Sequence, residues 1–228
     1  MSQNFSFKIQ IVYDNHCALD GFKKDFGFSA LIYNHLTRNY ILFDTGTNGR
    51  ILLHNLSLLE INLNLIRKIV ISHDHFDHSG GLKSIYNINP EIEIFVPGKD
   101  SSKYERKYEH ARVHEMIDFK EIEKNVYSSG ELFSNGIAEQ CLFLKTLNNE
   151  LIIIVGCAHP GLEKFIQQAL KIGKVKGIIG GFHGFNKLEY LEGIDFISAC
   201  HCTRKTREIR NMFPENFKQL CVGDKIEL

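Results

Sequence analysis

The feature that most constrains this chain is the run His73-Asp74-His75-Phe76-Asp77-His78. Three imidazoles and two carboxylates crowd into six residues, directly after the apolar stretch Ile69-Val70-Ile71 and before Ser79-Gly80-Gly81. A short apolar run bounded by turn residues reads as a buried strand, so the polar run occupies the loop at that strand's end. Imidazole together with carboxylate is a donor set for zinc, iron or manganese. His73 and His75 reach one ion from the loop. Asp77 and His78 point toward a second from the start of the following helix. The spacing predicts a binuclear site, with ions about 3.5–4 Å apart as in other two-metal hydrolases. The glycines after His78 permit close backbone approach.

The rest of the composition is ordinary, which isolates this feature. The chain has 228 residues, 43% hydrophobic and 24% charged, as expected of a globular protein and not of a disordered, collagenous or coiled-coil chain. Lys+Arg and Asp+Glu both number 27, so the chain has no overall basic field to favour nucleic acid. Eleven histidines stand out. Met1–Ser6 shows no basic start followed by an apolar stretch, so no secretory leader is expected. The longest apolar run, near Leu151–Val155, is too short to cross a bilayer. Cys17, Cys141, Cys157, Cys200, Cys202 and Cys221 include no C-x-x-C pair. Reduced thiols in a cytoplasmic protein are the expectation.

An internal repeat sets the organisation. Ser29–Asn34 and Tyr40–Phe43 read as a hairpin, followed by a helical pattern over Gly49–Glu60 and strands at Arg67–Ser72 and Glu91–Val96. The second half repeats this order: Cys141–Lys145, Leu151–Val155, a helix over Leu162–Ile172, then strands at Val175–Gly181 and Ile194–Ala199. Two β-β-α-β-β units make an α/β protein. Their strand ends would gather Asp44, His73, Cys157, His159, His183 and His201 along one edge. A single domain over residues 1–228 is expected. Lys99–Lys124, dense in charge, Tyr and His, reads as a lid-like insertion.

The His73–His78 run matches the H-x-H-x-D-H signature of the metallo-β-lactamase superfamily, and Phe43-Asp44-Thr45-Gly46 resembles that superfamily's early F/V-D-x-G segment. The resemblance covers nearly the whole chain. It implies an αββα sandwich of two similar halves, with two sheets face to face and helices outside. Within the superfamily the chain is similar to the 7,8-dihydropterin-6-methyl-4-(β-D-ribofuranosyl)aminobenzene 5′-phosphate synthase-like group. That similarity rests on Ile41–Gly46, Ser72–Leu82, Gly156-Cys157-Ala158-His159-Pro160-Gly161, Gly180-Gly181-Phe182-His183 and Cys200-His201-Cys202-Thr203.

Resemblance and spacing together imply a ligand set. His73, His75 and His159 would hold one divalent ion, and Asp77, His78 and His201 a second, zinc first, with iron and manganese as alternatives. The superfamily usually places a bridging aspartate after a glycine at a strand end. Here Gly156 is followed by Cys157, which either ligates as a thiolate or lines the site. Glu139 is a further carboxylate candidate. Asp77 and His183 are the candidate catalytic residues. Asp77 both ligates and orients or accepts a proton; His183 binds metal, steadies an oxyanion or meets a substrate phosphate or carboxylate. Asp44 is expected to support the histidine loop rather than ligate. His16, His35, His54, His110 and His114 carry surface or packing roles by default, although His110 and His114 could share a helix face in the insertion.

The expected activity is hydrolysis of a small, anionic molecule. Bound divalent ions bring the pKa of water down to about 7 and neutralise a developing oxyanion. A dihydropterin-type substrate would call on Phe182, Phe185 or Tyr104 for stacking. Phosphodiesterase, lactonase and β-lactamase activities, or a non-catalytic ligand-binding role, are the alternatives.

Overall fold

The computed structural model describes residues 5–228. Most of the segment read for a leader, Met1–Asn4, lies outside the described residues. In chain order the first half contains β1 (Phe7–Tyr13), β2 (Ser29–Asn34), β3 (Asn39–Phe43), α1 (Gly49–Ser57), β4 (Ile66–Val70), α2 (Phe76–Ser79), α3 (Leu82–Tyr86), β5 (Glu93–Val96), α4 (Ser101–Lys107) and β6 (Arg112–Glu115). The second half contains β7 (Lys120–Glu123), β8 (Val126–Ser128), β9 (Leu132–Ser134), β10 (Ile137–Glu139), β11 (Leu142–Lys145), β12 (Glu150–Val155), α5 (Leu162–Leu170), β13 (Lys174–Gly181), β14 (Phe196–Cys200) and α6 (Thr206–Met212). A last strand, β15 (Lys225–Glu227), returns to the first sheet.

Two sheets result, ordered β15-β1-β2-β3-β4-β5-β6 and β14-β13-β12-β11-β8-β7, with β9 and β10 forming a separate pair. The repeat is visible in the pairing. β2 and β3 are antiparallel, and β3, β4 and β5 run parallel. β11 and β12 are likewise antiparallel, and β12, β13 and β14 run parallel.

Strand periodicity explains the layering, because successive side chains point to opposite faces. On β12, Ile152 and Ile154 join Phe7, Ile9, Ile11 and Phe43 between the sheets. Leu151, Ile153 and Val155 face the other way, against Leu162, Phe165, Ile166 and Ala169 of α5. α1 and α3 cover the first sheet in the same manner, through Leu52, Leu56, Leu82 and Ile85. The order helix, sheet, sheet, helix is the αββα sandwich. Strands buried on both faces read as continuous apolar runs, which is why Leu151–Val155 stood out. Leu170, whose spacing from Leu162, Phe165, Ile166 and Ala169 predicts a place on the apolar face, is instead exposed at the helix's last position.

Two expectations need correction. Residues 99–124 hold α4 and one edge strand of each sheet, β6 and β7, so this segment is the crossover between halves. Its charges follow from that position, since edge strands turn polar groups to solvent. His114 lies on β6, bonded to Glu93 at 2.9 Å and stacked on Phe95, rather than sharing a helix face with His110. The second correction concerns Cys17 and Cys221, which form a disulfide across 204 residues of sequence. Reciprocal backbone bonds, Leu19 N–H to Val222 O and Val222 N–H to Cys17 O, bring the two segments together. Cys141, Cys157, Cys200 and Cys202 are free thiols. Among the described residues no helix is long and apolar enough to cross a membrane.

Ile153 is fully enclosed between the second sheet and α5. Ile153→Ala is expected to cost about 2–5 kcal/mol, measured as a lowered midpoint of urea unfolding with little change in slope.

Candidate metal centre

The parallel strands deliver their loops to one edge, and each loop is fixed from behind. Directly after β3, Asp44 adopts a φ of 54°. Its carboxylate accepts from the Ser72 N–H, the Ser72 hydroxyl and His78 Nδ1, each at 2.7 Å. Asp44, Ser72 and His78 are all fully buried. The bond to Asp44 places the His78 proton on Nδ1 and turns Nε2 inward. His73 Nδ1 meets the Ser72 hydroxyl at 2.9 Å, so its Nε2 also faces inward. Glycine at 156 is required here, because a Cβ would stand 2.2 Å from Ser72 Oγ and 3.2 Å from Asp44 Oδ2.

Glu139 does for the second half what Asp44 does for the first. Fully buried, it accepts from the N–H groups of Cys157, Ala158 and His159 at 2.7–2.8 Å and from His159 Nδ1 at 2.8 Å. Burial opposes its charge, but the bonds to His159 and to the loop N–H groups outweigh this and hold its carboxyl below the usual range. The third support comes from the end of β1. Asn15 Oδ1 takes His201 Nδ1 at 2.7 Å, and Asp14 takes the His201 N–H at 2.8 Å.

His73, His78, His159 and His201 therefore all spend Nδ1 on a supporting group and leave Nε2 for the centre. His75 contributes Nδ1, 3.0 Å from His73 Nε2. The donor atoms of His73, His75 and His159 lie within 4.8 Å of one another, and so do those of Asp77, His78 and His201. His201 Nε2 is 3.0 Å and His78 Nε2 3.5 Å from Asp77 Oδ2. Burial, reinforced by neighbouring histidines, lowers the pKa of His73 and His75, and burial lowers that of His201, so these rings are held neutral and carry lone pairs. Burial also opposes charge on His78, but Asp44 and then Asp77 overcome it and push its pKa up to about 10. Asp77 is held well below the carboxylate range: burial opposes its charge, and the adjoining His201 and His78 rings prevail. Neutral imidazoles converging on one another beside a carboxylate fit divalent cations, which would displace the His78 Nε2 proton.

Comparison with known proteins places this geometry. Residues 24–154 match the metallo-beta-lactamase superfamily. The chain belongs to the metallo-β-lactamase superfamily. A curated relative from Methanocaldococcus jannaschii, named 7,8-dihydropterin-6-methyl-4-(beta-D-ribofuranosyl)-aminobenzene-5'-phosphate synthase, is 31% identical over 78% of this chain and 80% of its own. A solved metal-dependent hydrolase of the beta-lactamase superfamily superimposes with a TM-score of 0.77 at 22% identity, covering 97% of this chain and 99% of the other. The metallo-beta-lactamase fold protein YhfI from Bacillus subtilis superimposes with a TM-score of 0.70 at 11% identity, covering 97% and 99%. These two likenesses establish the fold.

In this metallo-β-lactamase fold all six expected ligands reach one place, in the two expected groups of three. Asp44 supports the histidine loop, as expected. Glu139 is saturated by the loop it holds and does not face the centre as a ligand. Asp74 turns away, accepting from Tyr104 at 3.0 Å and pairing with Lys103. His183 stands beside His159, with ring centroids 4.9 Å apart, but groups with Cys157 and Cys202 rather than with either trio. Phe182, Phe185 and Tyr104 are buried in the protein and offer no face for stacking. Exposed rings near the centre come instead from Phe76 and from Phe26, whose ring lies 5.1 Å from that of His201. Sequence reasoning passed over Asp14, Asn15 and Cys202. The polar pair at the end of the alternating strand Phe7–Tyr13 was the available signal for the first two.

Asp44→Ala leaves His78 Nδ1 and the Ser72 N–H without their buried acceptor. The variant is expected to lose about 10–100-fold in metal affinity, measured by competition with a chromophoric chelator.

Proposed function

We propose that this metallo-β-lactamase superfamily member is a binuclear metal-dependent hydrolase acting on a small anionic molecule at a phosphorus or carbonyl centre. The observation that carries the reading is the convergence of His73, His75 and His159 beside Asp77, His78 and His201, every ring but His75 anchored through its outer nitrogen. The first trio would hold one divalent ion and the second trio the other. Zinc suits three imidazoles and a mixed imidazole–carboxylate set, and iron and manganese accept the same ligands. When bound, such ions supply Lewis acidity and water activated at neutral pH.

The protein's own groups then have defined tasks. Asp77 would ligate the second ion and orient or accept a proton. Asp44, Glu139 and Asn15 hold ring orientation, which fixes where substrate oxygens settle. Because the chain is formally neutral, affinity for an anion comes from the ions and local groups rather than from an overall field. Phe26 and Phe76 offer the exposed apolar surface for the uncharged part of the substrate. The name of the M. jannaschii relative gives a dihydropterin joined to an aminobenzene ribofuranosyl phosphate as that enzyme's product, and supports dihydropterins as the first compounds to try.

The test is metal analysis of purified protein followed by assay against phosphodiester, lactone, β-lactam and dihydropterin panels. Two equivalents of metal are expected, with turnover of at least one class. His75→Ala and Asp77→Ala are expected to fall to the rate of chelator-stripped protein. Folded, metal-free protein that binds ligand tightly without turnover would overturn the reading. Chelation alone should abolish turnover, and re-addition of zinc, iron(II) or manganese should restore it, the most effective ion identifying the working metal.

A further inference from the structure

Three donor side chains at the same strand ends lie outside the six-ligand set. Cys157 follows β12, His183 follows β13 and Cys202 lies just beyond β14. Their donor atoms are all within 4.8 Å of one another. Cys202 Sγ is 3.2 Å from Cys157 Sγ, and Cys157 Sγ is 3.2 Å from His78 Nε2. Both cysteines are free thiols. His183 Nδ1 is enclosed and has no hydrogen-bond partner among the described residues. An enclosed ring nitrogen with nothing to bond is costly unless something fills that role.

We propose that Cys157, His183 and Cys202 form an additional position for a thiophilic metal ion, contiguous with the binuclear centre and sharing its Cys157 edge. The proposal rests on the reading of this strand edge as a metal centre and extends it. Two sulfurs and an imidazole select soft or borderline ions such as zinc, cadmium or copper(I) over magnesium, calcium or manganese. The geometry is close to what such an ion needs. With zinc–sulfur bonds of about 2.3 Å, two thiolates on a tetrahedral ion sit roughly 3.8 Å apart, so the present sulfur pair opens by only about half an ångström. The ion replaces the proton that Cys202 now donates to Cys157, and both thiol protons leave to solvent on binding. Cys202 is only partly buried and gives the ion its way in.

The assignment is tested by titrating chelator-stripped, full-length protein with cadmium(II), following both equivalents bound and thiolate-to-cadmium absorption in the near ultraviolet. A third equivalent is expected beyond the first two, and the absorption should rise with it. Cys202→Ser and His183→Ala should each stop at two equivalents and lose that late rise. Bound cadmium should also protect Cys202 from alkylation, read by peptide mass spectrometry in the unmodified protein, so the test does not depend on either variant folding. Saturation at two equivalents overturns this position and leaves the binuclear reading standing. A third equivalent retained by Cys202→Ser, or absorption that appears with the first two and survives that substitution, also overturns it. No cadmium uptake at all overturns both readings.

Discussion

A buried carboxylate behind each histidine loop is the interaction on which the rest of the site depends. Asp44 and Glu139 are both fully buried, one in each half of the molecule. Among the described residues, neither is ion-paired with an arginine or a lysine. Each is satisfied through hydrogen bonds, Asp44 from Ser72 and His78, Glu139 from three consecutive N–H groups and His159. A carboxylate taken out of water costs several kcal/mol unless its oxygens are filled. That cost ties each loop to one conformation, because any other arrangement strands the charge. The same bonds set the proton on the outer nitrogen of His78 and His159, so loop geometry and donor chemistry have a single cause.

The backbone at this edge is also held in sparsely populated conformations. Asp44, Ala158, His183 and His201 all have φ between 44° and 58°, and all lie at or just past the ends of strands β3, β12, β13 and β14. Non-glycine residues in this region cost of order 1 kcal/mol or more each, and persist where the surroundings over-determine them. Here the surroundings are two sheets whose cores fix the strand ends and the carboxylates that fix the loops. The stability of the sandwich is thus coupled to the alignment of donors, since loosening β12 or β13 releases Cys157, His159 and His183 together.

Much of this was legible in the residues. The repeat Ser29–Val96 and Cys141–Ala199 maps onto β2-β3-α1-β4-β5 and β11-β12-α5-β13-β14, because apolar runs of strand length and one amphipathic helix per half encode burial locally. The six donors that meet at this edge were legible because donors cluster in short motifs. What failed were readings of residues whose tertiary neighbours no motif marks. Lys99–Lys124 looked like a loop because its strands are short, charged edges. Phe182 and Phe185 looked available because nothing local says they pack inside. Cys17 and Cys221 carry no spacing signal, since the segments that hold them lie at opposite ends of the chain and meet only in the folded protein.

The sequence by itself determined the strand ends at which donors emerge and, through its family resemblance, the layer order and the expectation that those ends form a metal centre. Periodicity and motif are properties of neighbours along the chain, and they suffice for this. Only the tertiary structure decided which nitrogen of each ring faces inward, that Glu139 supports rather than ligates, and that Cys202 joins Cys157 and His183. Those outcomes depend on bonds such as Asn15 to His201 and Asp44 to His78, made across 186 and 34 residues. The first exists only once the two halves have closed against each other, the second only once β3 and β4 have paired within the first half.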